Sequence, residues 1–252
     1  MKSIPIPSLK LTLAFVRLEL MDVVRHPAYL FPTAVLPLML FVFFGVPNAG
    51  TPAEAGFMLG SFSVFAVLGV AFHQFGVGIA QDRATPWQRY LRTLPASPVS
   101  QFVARIAAAI LVAAVGVTIL AVVAVATTPL AFSLGQWVLL AAALTLGAVP
   151  FAVAGIALGY WTSAKSAIAM ANVIYLPLSY LGGLWVPPMD LPAFVQQISI
   201  FMPSRMVAEL VWPIPFGFPV GWYPFAGLAV FFFLFSLLAW WGYAREEQRQ
   251  FR

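Results

Sequence analysis

The sequence contains no cysteine, so it can form neither a disulfide framework nor a thiolate metal site. Charge is almost as scarce: Asp, Glu, Lys and Arg make up 8% of the 252 residues, against about 25% in soluble domains. The only histidines are His26 and His73, too few to hold a catalytic metal without a carboxylate cluster, and no such cluster is written in the sequence. No Gly-x-x-x-x-Gly-Lys-Ser/Thr loop occurs, which excludes ATP binding by that route. These absences argue against an enzyme. They also leave little for an ion-coupled transporter, which is expected to place a carboxylate at mid-membrane, because every Asp and Glu here reads as a loop or helix-end residue. His73 is the lone candidate relay, and its favoured reading is a polar side chain bonded to a neighbouring helix or a backbone carbonyl.

What the chain has instead is apolar bulk. Hydrophobic residues make up 62%, with 23 Phe and 8 Trp, and the mean hydropathy is +0.94. A soluble core of this length does not require that. The formal charge of +5 sits in small groups beside apolar stretches rather than in a basic domain, so it points to membrane topology and not to nucleic acid. The first apolar stretch follows about 25 residues of mixed charge, and the N-terminus therefore reads as retained rather than as a cleaved signal.

Six apolar stretches, roughly 28–46, 56–80, 102–127, 136–160, 167–187 and 220–244, are each long enough to cross a bilayer. No charged residue lies between Arg105 and Lys165, where Thr127-Thr128-Pro129 and Ser133-Leu134-Gly135-Gln136 mark a short turn between two spans. With six spans, every Lys and Arg except Arg205 falls on one face. Positive charge is retained inside, so both termini are expected in the cytoplasm. Residues 8–26 read as an interfacial helix on the inner leaflet: Lys10, Arg17 and Arg25, spaced by seven and eight, share one face, with Leu9, Leu13, Val16 and Leu20 beside it. Residues 188–219 are too rich in proline to span. They read as a re-entrant outer hairpin with two short helices near Phe194–Phe201 and Ser204–Val211, the second carrying an Arg205–Glu209 pair at i, i+4. The expectation is thus a single all-α integral membrane domain over residues 1–252. Gly155-x-x-x-Gly159, within a run of small residues, predicts close helix packing, favoured within the chain over a second copy.

The loop after the second stretch reads Gly76-Val77-Gly78-Ile79-Ala80-Gln81-Asp82-Arg83, then Arg89-Tyr90-Leu91-Arg92-Thr93-Leu94-Pro95-Ala96-Ser97-Pro98. Later come Leu158-Gly159, Asn172, Leu181-Gly182-Gly183-Leu184-Trp185-Val186-Pro187-Pro188, Leu191-Pro192 and Pro203. In this order and spacing the chain resembles the type-2 permeases of ABC exporters along nearly its whole length. That family often has a glutamate-arginine pair followed by glycine where this chain has Asp82-Arg83 and Ala84-Thr85-Pro86, so the resemblance does not fix where the following short helix begins.

The resemblance implies an export permease that dimerises and is driven by a separate ATP-binding cassette subunit, which would hold the ATP and magnesium; no cofactor is expected in this chain. It implies a coupling role for the loop residues Asp82, Arg83, Trp87, Arg89, Tyr90, Leu91, Arg92 and Leu94, although inside-positive bias alone would also place arginines there. It implies a substrate path lined from the second and fifth spans at a twofold dimer interface, with Phe65, Phe72, Asn172, Tyr175 and Ser179 as candidates. The substrate class suggested is amphipathic, drug-like, lipid-like or glycan. The alternative reading is a secondary transporter or channel acting alone.

Overall fold

The computed structural model describes residues 9–25, 31–85 and 98–250. Among them every regular element is helical and no strand occurs. α1 spans Leu9–Arg25. α2 covers residues 31–48 as a succession of π, α and 3-10 turns; Pro37 and Pro47 within it lack the amide that a regular helix would use. α3 runs Pro52–Ala84, with a π-helical stretch at Ala71–Val77. α4 (Pro98–Thr127), α5 (Leu134–Trp161), α6 (Ala167–Leu181), α7 (Ala193–Ser199), α8 (Pro203–Val211) and α9 (Tyr223–Gln250) follow.

Four of these, α3, α5, Val103–Thr127 of α4 and Tyr223–Glu246 of α9, are long and apolar enough to cross a membrane; α2 and α6 are apolar but shorter. The fifth apolar stretch, expected to reach residue 187, leaves the helix at Leu181. The reason is local: Gly183 takes φ +76°, a backbone conformation that turns the chain and that side chains with a Cβ avoid. The α4–α5 connection falls where the Thr-Thr-Pro and Ser-Leu-Gly-Gln segments predict. Ser133 caps α5 through a reciprocal bond with Gln136, whose amide also reaches the Ile214 carbonyl at 3.1 Å.

α3 is the axis of the bundle. In its most apolar stretch 94% of residues are buried inside the chain, with α2, α4, α5, α6 and α8 around it. Phe62, Phe65, Phe72 and Phe75 are therefore packing residues rather than lipid-facing ones. Close approach of α5 depends on its glycines. A Cβ at Gly155 would collide with the Ala71 carbonyl oxygen and lie 3.0 Å from the Phe75 Cβ; one at Gly159 would lie 2.8 Å from the Ile79 Cβ and 3.0 Å from the Gly76 oxygen. The partner of the Gly-x-x-x-Gly is thus α3 of the same chain, as favoured above.

Gly155→Ala is expected to destabilise the bundle by about 1–3 kcal/mol, the usual cost of overpacking, because a helical carbonyl cannot move aside as a side-chain tip can. Thermal unfolding in detergent should show it. Gly135→Ala, whose Cβ would meet only Ser133 Oγ at 3.9 Å, should leave the transition unchanged.

The proline-rich segment forms the two short helices expected, α7 and α8. α8 starts with Pro203 at its first turn, where a missing amide costs nothing, and buries Val207, Ala208, Leu210 and Val211. Val207 fills the space opened by Gly147 of α5. Trp212 stacks on Phe57 at 4.9 Å and donates its indole N–H to Ser61 Oγ at 2.7 Å, fastening the segment to α3. The Arg205–Glu209 ion pair forms at 2.7 Å, with the guanidinium 4.5 Å above the Trp212 ring.

Candidate functional site

Asp82 and Arg83 close α3, and consecutive helical positions diverge by about 100°, so the two side chains serve different neighbours. Asp82 forms a short ion pair with Arg105 of α4. The same guanidinium donates to Glu19 of α1, from Nη2 at 3.0 Å and Nε at 3.2 Å, and Gln74 of α3 donates to the other Glu19 oxygen at 3.0 Å. Arg83 turns the opposite way. Its Nη1 donates to the Gly159 carbonyl at 2.6 Å, one of the last carbonyls of α5 and a natural seat for a cation. Its Nη2 pairs with Glu246 of α9 at 2.6 Å, and its guanidinium lies 5.1 Å over the Tyr160 ring.

Three carboxylates and two guanidiniums thus tie the end of α3 to α1, α4, α5 and α9. The Arg105 side chain is only 14% exposed, against 22% for Glu19 and 35% for Asp82, so these contacts are less screened than open surface pairs. Around the same end, Trp161 donates to the Leu238 carbonyl at 3.1 Å and lies under Arg245 at 5.4 Å. α3 then stops: Thr85 is extended, as a residue before proline must be, and its amide and hydroxyl both donate to the Asp82 carbonyl. The loop leaves from a base fixed on every side.

Of the eight loop residues singled out in the sequence, Asp82 and Arg83 lie in this network. Trp87, Arg89, Tyr90, Leu91, Arg92 and Leu94 lie outside the described residues. Glu19, Gln74, Arg105 and Glu246 had no site role in the sequence reading, and Gly159 entered it as a helix-packing glycine. Glu19 faces the bundle from α1. On a helical wheel Glu19 falls roughly 90° from the centre of the Leu9, Leu13, Val16 and Leu20 stripe, off the apolar face, the one local signal of its role.

The second set of candidates meets deeper in the bundle. Phe65 and Tyr175 stack with centroids 4.7 Å apart and planes within 5°, and the Tyr175 hydroxyl donates to the Phe65 carbonyl at 3.3 Å. Trp185 meets the Phe65 ring edge-on at 5.5 Å, Phe72 meets Phe151 at 6.2 Å, and Ser179 donates to the Tyr175 carbonyl. Phe65, Phe72, Tyr175 and Ser179 are enclosed within the single chain, whereas Asn172, on the same face of α6, is only half-buried. His73 follows its favoured reading: Nδ1 bonds the Gly69 carbonyl at 2.8 Å, one turn back in α3.

Described elements that are all helical, four of them of spanning length, with a central helix buried by its neighbours and ion pairs gathered at one end of it, define a multi-pass membrane protein. Residues 10–214 match the family described as ABC-2 type transporter, and the chain belongs to that family. It is similar to the protein named "Putative transport permease YvfS" of Bacillus subtilis (strain 168), with 25% identity over 235 residues that cover 91% of this chain and 95% of the relative. Members of the family are transmembrane subunits whose ATPase lies in a separate chain.

Proposed function

We propose that the chain is the permease subunit of an ATP-driven exporter in the cytoplasmic membrane, with six spans, both termini inside and residues 188–219 re-entrant from the outer face. It works as a homodimer. A separate ATP-binding cassette subunit binds ATP and magnesium and docks on residues 82–97. The observation that carries this reading is the divergent anchoring of Asp82 and Arg83. A loop whose root is tied to four other helices passes a displacement to the whole bundle, where a loop on a free helix end would absorb it.

The substrate is amphipathic, drug-like, lipid-like or a glycan, and its path runs beside Phe65, Phe72, Asn172, Tyr175 and Ser179. Since the Phe65–Tyr175 stack is closed within one chain, passage requires α3 and α6 to part, and the force for that parting enters through the root of the loop.

The topology on which this depends is testable in a chain free of cysteine. Ala84→Cys should react with an impermeant thiol reagent only after the cells are permeabilised, and Ala53→Cys should react in intact cells. Labelling of Ala84→Cys in intact cells would place the loop outside and remove the docking role.

A further inference from the structure

α1 has two opposed faces. Glu19 points into the bundle and holds Arg105 and Gln74. Leu13, Val16, Arg17, Leu20, Met21 and Arg25 line a single shallow groove of about 380 Å³. At 100° per residue these six positions cover half of the helix circumference, centred nearly opposite Glu19. Of the apolar members of this face Leu13 is 58% exposed and Val16, Leu20 and Met21 are half-buried, while packing partners lie on the other side of the same helix. Arg17 and Arg25 are exposed in the same groove, and neither has a carboxylate partner among the described residues.

A surface with an apolar floor, two guanidiniums and no acid among its described lining residues matches a molecule with an anionic head and an apolar body. Arg17 and Arg25 are eight residues apart, about 12 Å along the helix axis, so their long side chains can converge on one headgroup from either end of the groove. Guanidinium suits that task because its fork of donors matches phosphate oxygens. Free phosphate would leave the apolar floor uncovered. α1 also lies against the end of the bundle where the basic residues gather, the end that meets the anionic inner leaflet under the topology proposed above.

We propose that this groove is a binding site for one anionic phospholipid, its phosphate held by Arg17 and Arg25 and an acyl chain laid along Leu13, Val16 and Leu20. The seated lipid presses α1 onto α4 and so supports the Glu19–Arg105 pair from behind. The site requires that α1 lie at the membrane surface and is independent of how the transporter is powered.

The test uses the full-length chain in nanodiscs of phosphatidylcholine mixed with phosphatidylglycerol, extracted into mild detergent and weighed by native mass spectrometry. The wild type should retain one phosphatidylglycerol in preference to phosphatidylcholine. Arg17→Gln/Arg25→Gln should lower that retention by about tenfold or more, since each basic residue near a membrane surface contributes on the order of 1 kcal/mol toward anionic lipid. Arg17→Lys/Arg25→Lys should keep a measurable part of it. Millimolar inorganic phosphate should not displace the lipid; displacement would mark the groove as a phosphate site and overturn the proposal. Retention of the two lipids by the wild type in their bulk ratio would overturn it without recourse to any variant. So would undiminished phosphatidylglycerol on the glutamine variant, or loss from that variant of a bound protein subunit in place of the lipid.

Discussion

Arg105→Leu should lower the unfolding temperature of the purified chain by about 4–10 °C, the largest stability effect expected of any single substitution at this end of the bundle. The estimate follows from position. Losing one partner of an open surface pair costs about 0.2–1 kcal/mol, and of a fully buried pair about 3–5 kcal/mol. Arg105 is nearly buried while Glu19 and Asp82 keep some access to solvent, so about 2–3 kcal/mol lies between the two limits. The cost arises mainly from two carboxylates left facing each other without the cation between them. Arg105→Lys should recover about half, because an ammonium supplies the charge but not the fork that reaches both acids. Adding Glu19→Gln and Asp82→Asn to Arg105→Leu should recover most of the loss. If the triple variant unfolds as early as the single one, the arginine acts through packing and not through charge.

The parts of this molecule that were legible in the sequence are those with local causes. Thr127-Thr128-Pro129 and Ser133-Leu134-Gly135-Gln136 announce a short turn between two helices, and the spaced prolines after Gly183 two short helices instead of a span. Gly155 and Gly159 announce a close crossing, and the structure supplies the partner, α3. What could not be read is which apolar helix lies at the centre. Lipid tails are as apolar as leucine, so a phenylalanine-rich helix carries the same pattern whether it meets lipid or five other helices. The same limit hid the network around Asp82 and Arg83. Their acid-base pairing could be singled out, but Glu19 and Arg105 are 86 residues apart and Arg83 and Gly159 are 76 apart, and separations of that size leave no periodic trace. The early end of α6 shows a different failure. The apolar run continues through Leu184 to Val186, and only the left-handed turn at Gly183 separates hydrophobicity from helix.

Under the proposed docking of an ATP-binding subunit on residues 82–97, the contribution of the loop follows from its chemistry. Arg89 and Arg92, three apart, can share one helical face and meet carboxylates of the partner, but exposed pairs add only about 0.2–1 kcal/mol each. Trp87, Tyr90, Leu91 and Leu94 offer the apolar area on which docking energy concentrates, and removal of such anchors typically costs about 2 kcal/mol or more, a factor of roughly 30 in affinity. Arg89→Ala/Arg92→Ala should therefore weaken assembly by only a few-fold. Tyr90→Ala/Leu91→Ala should abolish it while leaving insertion intact, since these two residues lie in sequence between the apolar stretches 56–80 and 102–127. The deciding measurement is the amount of ATP-binding cassette subunit that co-purifies with tagged Tyr90→Ala/Leu91→Ala from membranes holding wild-type levels of the permease. The account predicts loss of the subunit and of export together; a full complement of subunit with undiminished export would contradict it.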